Sequence, residues 1–225
     1  MYGALLFDLD GTLAETDPLH LPTWVDVLEP YGVKVDEEFY RQSISGRNTS
    51  EIIRDLLPDL SDEENSSVGE AKEARFRERA TELEPLPGLL DFVAWGRERG
   101  MSIVLVTNAP EENVQAILLA LELRDFFDAV VLADEVEAVK PDPAPYTAAL
   151  KRSGISAEEA LAFEDSVSGI SSSVTAGIPT VGITSSQVPE RLLEAGAFMT
   201  VDDFTDVRVR DLISGHNERG SQRGR

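Results

Sequence analysis

Two aspartates one residue apart, Asp8 and Asp10, stand at the end of the apolar run Ala4-Leu5-Leu6-Phe7 and lead into Gly11. An apolar run of this length closed by a turn residue reads as a buried strand. Carboxylates gathered at a strand end repel one another and are costly to desolvate, so the pattern points to a divalent cation and to metal-assisted chemistry. Further strand-like runs lead to residues suited to the same work. Residues 102–106 run into Thr107-Asn108, a hydroxyl and an amide; the loop after residues 129–133 carries Lys140-Pro141, a cation on a stiffened loop; residues 160–163 end at Glu164-Asp165. Ligands of open α/β sheets bind beyond the carboxyl ends of the strands, so these groups are expected to meet in one site. Taken singly, each has a plainer reading as a turn, a helix cap or an exposed loop lysine. Their common position at strand ends favours the chemical reading.

The elements that must carry these residues follow from periodicity. Helical patterns over residues 89–99, 111–121, 143–152, 166–176 and 189–195 alternate with strand-like runs at 102–106, 129–133, 160–163, 179–183 and 199–201. A last helix is expected near 207–213. Such alternation predicts an α/β fold, a doubly wound parallel sheet. The stretch from 16 to 85 breaks the rhythm, because it carries helical patterns and few strand signals. One helical face holds Leu21, Trp24, Val25 and Leu28, with Trp24 read as packing rather than substrate contact, and another holds Ile52, Ile53, Leu56 and Leu57. Ser61-Asp62-Glu63-Glu64 reads as a capping box opening a long charged helix, expected to be a solvated face. The expected organisation is a core from residues 1–15 and 86–213, a small all-helical cap at 16–85 inserted after the first strand, and a disordered polar tail at 214–225. The crossings at 13–16 and 84–88 are the expected hinges.

The chain has 20 basic and 42 acidic residues, a net charge of −22. A surface of that sign repels nucleic-acid phosphates, so no nucleic-acid partner is expected. An anionic substrate could enter only where a cation and local basic groups reverse the potential. No apolar stretch nears the ~20 residues of a membrane span, and no basic-then-apolar leader precedes the first strand, so no membrane partner and a cytoplasmic setting are expected. Cysteine is absent, which removes disulfides and thiolate metal sites.

The motif Leu6-Phe7-Asp8-Leu9-Asp10-Gly11-Thr12-Leu13, followed in order by Thr107-Asn108, Lys140-Pro141 and Glu164-Asp165, closely resembles the haloacid-dehalogenase-like (HAD) superfamily of Mg²⁺-dependent phosphohydrolases. The likeness spans about residues 2–205 and is greatest to the branch with a helical cap after the first strand, which includes phosphoglycolate-phosphatase-like and β-phosphoglucomutase-like enzymes. The resemblance implies Asp8 as nucleophile, Asp10 as general acid and base, Thr107 and Asn108 as phosphoryl contacts, and Lys140 as the fixed cation. It implies Mg²⁺ held by Asp8, Asp165 and the Asp10 backbone carbonyl, with Glu164 ligating directly or through water. His20 matches a position facing the active site, and Ser45-Gly46-Arg47-Asn48-Thr49 aligns with a substrate-specificity loop, so His20, Gly46 and Arg47 are candidate substrate contacts. Halide leaves without a proton, and the dehalogenases lack an acid at the position of Asp10. Its presence favours phosphoryl transfer from a poor alkoxide leaving group. The chain departs from the mutase pattern at Ser45 and Thr49, and at Ala109-Pro110-Glu111. The expectation is a monomeric phosphatase acting on a small phosphorylated metabolite, with a β-phosphoglucomutase-like enzyme as the alternative.

Overall fold

The computed structural model describes residues 2–44 and 47–221. Six strands form one all-parallel sheet: β1 (Ala4–Phe7), β2 (Ser102–Val106), β3 (Ala129–Val131), β4 (Ala160–Glu164), β5 (Thr180–Ile183) and β6 (Met199–Val201), in the order β3-β2-β1-β4-β5-β6. The chain builds outward from β1 to β3, then returns to the other side of β1 at β4. The strand order therefore reverses between β1 and β4, where open sheets form their ligand crevice.

Every residue of β1 is buried, which suits a central parallel strand covered on both faces. Leu5 and Phe7 point to one face, with Ile103, Leu105, Leu161 and Phe163 beside them; α5 (Leu89–Glu98), α6 (Glu111–Ala120) and α10 (Val207–Ser221) cover this side. Ala4 and Leu6 point the other way, with Val104, Ala160 and Ala162, onto α7 (Ala144–Ser153). The small alanines let that helix lie close. Beneath the strand ends, Phe7 stacks on Phe163 with ring centroids 5.0 Å apart, and Phe92 and Phe204 close around them. Each such pair adds about 0.5–1.5 kcal/mol beyond its buried area. The slab makes a stiff floor for the residues that follow Phe7 and Phe163.

Between β1 and β2 the chain forms α1 (Asp17–Leu28), α2 (Glu37–Ser43), α3 (Thr49–Leu56) and α4 (Asp62–Arg79). Trp24, Val27, Leu28, Ile52, Ile53 and Val68 make a hydrophobic cluster of their own. Helix α2 was not expected; its short run buries only Tyr40, too little to mark a periodic face. The capping box at Ser61 and Glu64 is formed. The expectation of a solvated α4 is corrected, since Asn65, Val68, Lys72 and Phe76, spaced three and four apart, are all buried. At the other terminus, beyond α9 (Pro189–Glu194) and β6, α10 continues to Ser221, into the segment expected to be a disordered tail. Packing at Val209 and Ile213 nucleates the helix, and polar residues then propagate it.

Candidate active site

The sheet register assembles the site. Phe7 pairs with Leu105 on one side and Phe163 on the other, so Asp8 emerges between Val106 and Glu164. Its backbone N–H donates to the Phe163 carbonyl at 3.0 Å. Lys140 arrives from the loop after β3, and its ammonium fills the gap between strands. It donates to Asp8 Oδ1 at 2.5 Å, to Glu164 Oε1 at 2.6 Å and to the Val106 carbonyl at 2.7 Å. All three donor sites of the ammonium are used, which fixes its position.

Glu164 is wholly buried. The Tyr146 hydroxyl donates to the same Oε1 at 2.7 Å, and Ser166, the N-cap of α8 (Val167–Thr175), donates to Oε2 at 3.3 Å. The side chain lies against Gly169, where an added Cβ would come within 2.0 Å of the carboxylate carbon. Gly11 plays the matching part for Asp165: its φ is +72°, and a Cβ there would lie 2.2 Å from Asp165 Oδ2. Ser186 donates to the Asp165 carbonyl at 3.0 Å and steadies that turn from the loop after β5.

The electrostatics are those of too many anions for one cation. Asp8, Glu164 and Asp165 each place a carboxylate oxygen within 4.8 Å of the others, all buried. Burial, opposed by Lys140 and reinforced by Glu164 and Asp10, pushes the Asp8 carboxyl up to about 8. Burial first, then Asp8 and Glu164, raises Asp165 well above the usual carboxylate range. Burial alone would lower the Lys140 ammonium, but Asp8 and Glu164 outweigh it and raise it. Burial and the Glu164 charge likewise raise the Tyr146 phenol. Asp165 makes no ion pair among the described residues. An oxygen-rich, over-charged cluster of this kind fits a hard divalent cation, which would offset the repulsion that raises Asp8 and Asp165.

The Asp10 carboxylate stands apart from the three-acid cluster, its side chain 39% exposed, with His20 Nε2 at 3.9 Å from Oδ1. Partial burial would raise it, yet His20, Thr16 and Lys72 outweigh that and hold it below its ordinary value. His20 sits in the first turn of α1, stacked on Phe76 of α4 with centroids 4.2 Å apart and planes 10° from parallel. Its Nδ1 is buried without a hydrogen-bond partner among the described residues. Thr107 is buried at the end of β2, its hydroxyl accepting from the Ala109 N–H at 2.9 Å.

Two expected substrate contacts are otherwise engaged. Asn108 spends both ends of its amide on Lys140: Nδ2 donates to that residue's carbonyl at 3.3 Å, and Oδ1 accepts from its N–H at 3.2 Å. It anchors the lysine loop. Arg47 donates to the Ser43 carbonyl at 2.9 Å and pairs with Asp55 of α3, so it ties α2 to α3. Gly46 lies outside the described residues.

Sequence reasoning missed Tyr146 and the α4 pair Lys72 and Glu73. Lys72 is 4% exposed. It lies 5.5 Å from the Trp24 ring and 5.6 Å from that of Phe76, and contacts Glu73 at 3.0 and 3.2 Å. The i, i+3, i+7, i+11 spacing of Asn65, Val68, Lys72 and Phe76 was a usable signal, hidden by the helix's overall polarity. Tyr146 offered only a phenol in a core-facing helical position.

A family model described as haloacid dehalogenase-like hydrolase matches residues 5–183. The phosphorylated carbohydrates phosphatase of Thermotoga maritima is 32% identical over 204 residues, covering 88% of this chain and 93% of that protein. The fructose-1-phosphate phosphatase YqaB of Escherichia coli is 32% identical over 185 residues, covering 81% and 96%. The crystal structure of CbbY from Rhodobacter sphaeroides in complex with phosphate superposes with a TM-score of 0.82 at 29% identity, covering 92% of this chain and 96% of that one.

Proposed function

The chain belongs to the haloacid dehalogenase-like hydrolase family, and from that premise we propose that it is a phosphatase that hydrolyses a small phosphorylated metabolite through an aspartyl-phosphate on Asp8. The observation that carries this reading is the meeting of Asp8, Lys140, Glu164 and Asp165 at the strand-order switch, with Asp10 at its mouth.

Asp8 attacks phosphorus in line through a carboxylate oxygen, and the bond from phosphorus to the alcohol oxygen breaks. Lys140 holds Asp8 Oδ1, which orients the nucleophile. Asp10 gives its proton to the departing alkoxide, then takes one from the water that attacks the phosphoaspartate, releasing phosphate and restoring Asp8. The low pKa of Asp10 suits the base half of this cycle; a phosphate dianion arriving beside it raises the carboxyl for the acid half. Asp8 and Asp165, with the Asp10 carbonyl and Glu164 near by, would hold Mg²⁺, whose charge offsets that of the transferring phosphoryl group. Thr107 offers its hydroxyl, and Asn108 acts through Lys140.

The helical block of residues 16–85 serves as the cap, and His20 as its contact to Asp10. Hydrolysis is preferred to phosphoryl transfer between two sugar positions because a mutase must also grip a second phosphate. Here the Thr49 hydroxyl is given to Glu73 and the Arg47 guanidinium to Asp55. Turnover of p-nitrophenyl phosphate and sugar phosphates with Mg²⁺ tests the proposal. Loss on EDTA treatment and in Asp8→Asn is expected, and activity that survives Asp8→Asn overturns the mechanism.

A further inference from the structure

Resting on the phosphatase reading, we infer that the seam between helical block and sheet domain selects phosphomonoesters whose non-reacting part is uncharged and hydroxyl-rich. Glu73 is the residue that makes the selection, by cancelling the charge of Lys72.

The seam is built around a part-buried ion pair whose ammonium is buried. Lys72 reaches both oxygens of Glu73, at 3.0 and 3.2 Å. Glu73 Oε1 also accepts from the Thr49 hydroxyl at 2.9 Å, and Oε2 from Asn113 Nδ2 at 2.7 Å. The carboxylate is thus held from α3 by Thr49, from α4 by Lys72 and from α6 on the sheet side by Asn113. Arg77 donates to Asn113 Oδ1 at 3.2 Å, which turns that amide's N–H toward Glu73. Lys72 borders the Phe76 ring that carries His20, and His20 faces Asp10. The pair therefore lies on the helical side of the reacting centre.

A lone buried ammonium here would draw in a second anionic group, whether carboxylate or phosphate. Paired with Glu73 it carries no net charge, and an incoming anion meets a fixed carboxylate in the same polar set. Sugar hydroxyls, which both donate and accept, can bond to either partner without that repulsion. Arg47, the cation of the 45–49 segment, is likewise paired, with Asp55 at the surface.

The test compares kcat/KM of the Mg²⁺-loaded enzyme for fructose 1-phosphate, fructose 1,6-bisphosphate and 2-phosphoglycolate, with p-nitrophenyl phosphate as reference. The wild type is expected to favour fructose 1-phosphate over both anionic-tailed esters by about tenfold or more, and Glu73→Gln to shrink that preference by about tenfold, through KM of the anionic esters. Glu73→Asp, which keeps the charge, should keep the preference. Equal or better turnover of the anionic esters by the wild type overturns the inference, as does an unchanged ratio in folded Glu73→Gln. Should Glu73→Gln not fold, the wild-type ratio decides alone. Failure to turn over any ester, p-nitrophenyl phosphate included, fails the phosphatase reading itself; turnover without the preference fails only this inference.

Discussion

Replacing Asp8 with asparagine is expected to stabilise the metal-free protein while abolishing turnover, and the gain should grow with pH. The Asp8 carboxyl is raised from 3.8 to about 8, because burial, with Glu164 and Asp10, opposes its ionisation more than Lys140 supports it. A carboxyl whose folded pKa exceeds its unfolded value holds its proton more tightly in the folded state. Its contribution to stability is complete below the unfolded pKa and is lost as pH climbs toward the folded one. Within that window one group costs about 1.4 kcal/mol per pH unit. From about pH 5 to about pH 7.5 the wild type should therefore lose on the order of 3 kcal/mol relative to Asp8→Asn, which has no such proton to release. Urea unfolding in EDTA, followed by tryptophan fluorescence at several pH values, measures the difference. Adding Mg²⁺ should reverse the order, since a cation favours the ionised aspartate. A gap between variant and wild type that stays flat or narrows as pH rises refutes the reasoning.

Asp10→Asn should lower kcat for sugar phosphates by about 10²–10⁴ and, with p-nitrophenyl phosphate, whose phenolate leaves without a proton, let a phosphoryl adduct accumulate on the protein, visible by intact mass, since the base of the second step is gone; rapid turnover with no adduct would contradict its role. Lys140→Met leaves Asp8 and Glu164 without their cation and should cost the metal-free protein about 3–5 kcal/mol, as read from urea midpoints; an unchanged midpoint would contradict the ammonium's part in holding the strand ends. Gly169→Ala puts a methyl into the Glu164 carboxylate and should cost about 1–3 kcal/mol together with activity, measured by thermal melting and turnover; an unaffected variant would mean that Glu164 has room to move.

The sheet was readable because its strands are short apolar runs closed by turn residues, and β1 keeps all four side chains buried. Asp8, Lys140, Glu164 and Asp165 were readable because each follows such a run or its loop. What escaped notice depends on contacts remote in sequence. Tyr146 gains meaning only where β4 brings Glu164 against α7. Lys72 and Glu73 lie in a helix so charged that its inward stripe disappears in the average, and Asn113, the partner of Glu73, is 40 residues away from it. Arg47 illustrates the reverse: a cation in a promising loop, with Asp55 eight positions on already claiming it.

The path into and out of the helical block is pinned at one place. The Leu86 N–H donates to the Leu13 carbonyl at 2.8 Å, within the turn that the bridge between Asp10 and Ala14 closes. An insertion whose two ends touch can be exchanged like a cassette, because the sheet needs only a tight link there to keep its own connectivity. Grafting another enzyme's helical segment between these anchors would change which molecules are admitted and leave the phosphorus chemistry to the parent scaffold. Selectivity and reactivity can thus diverge separately over evolutionary time.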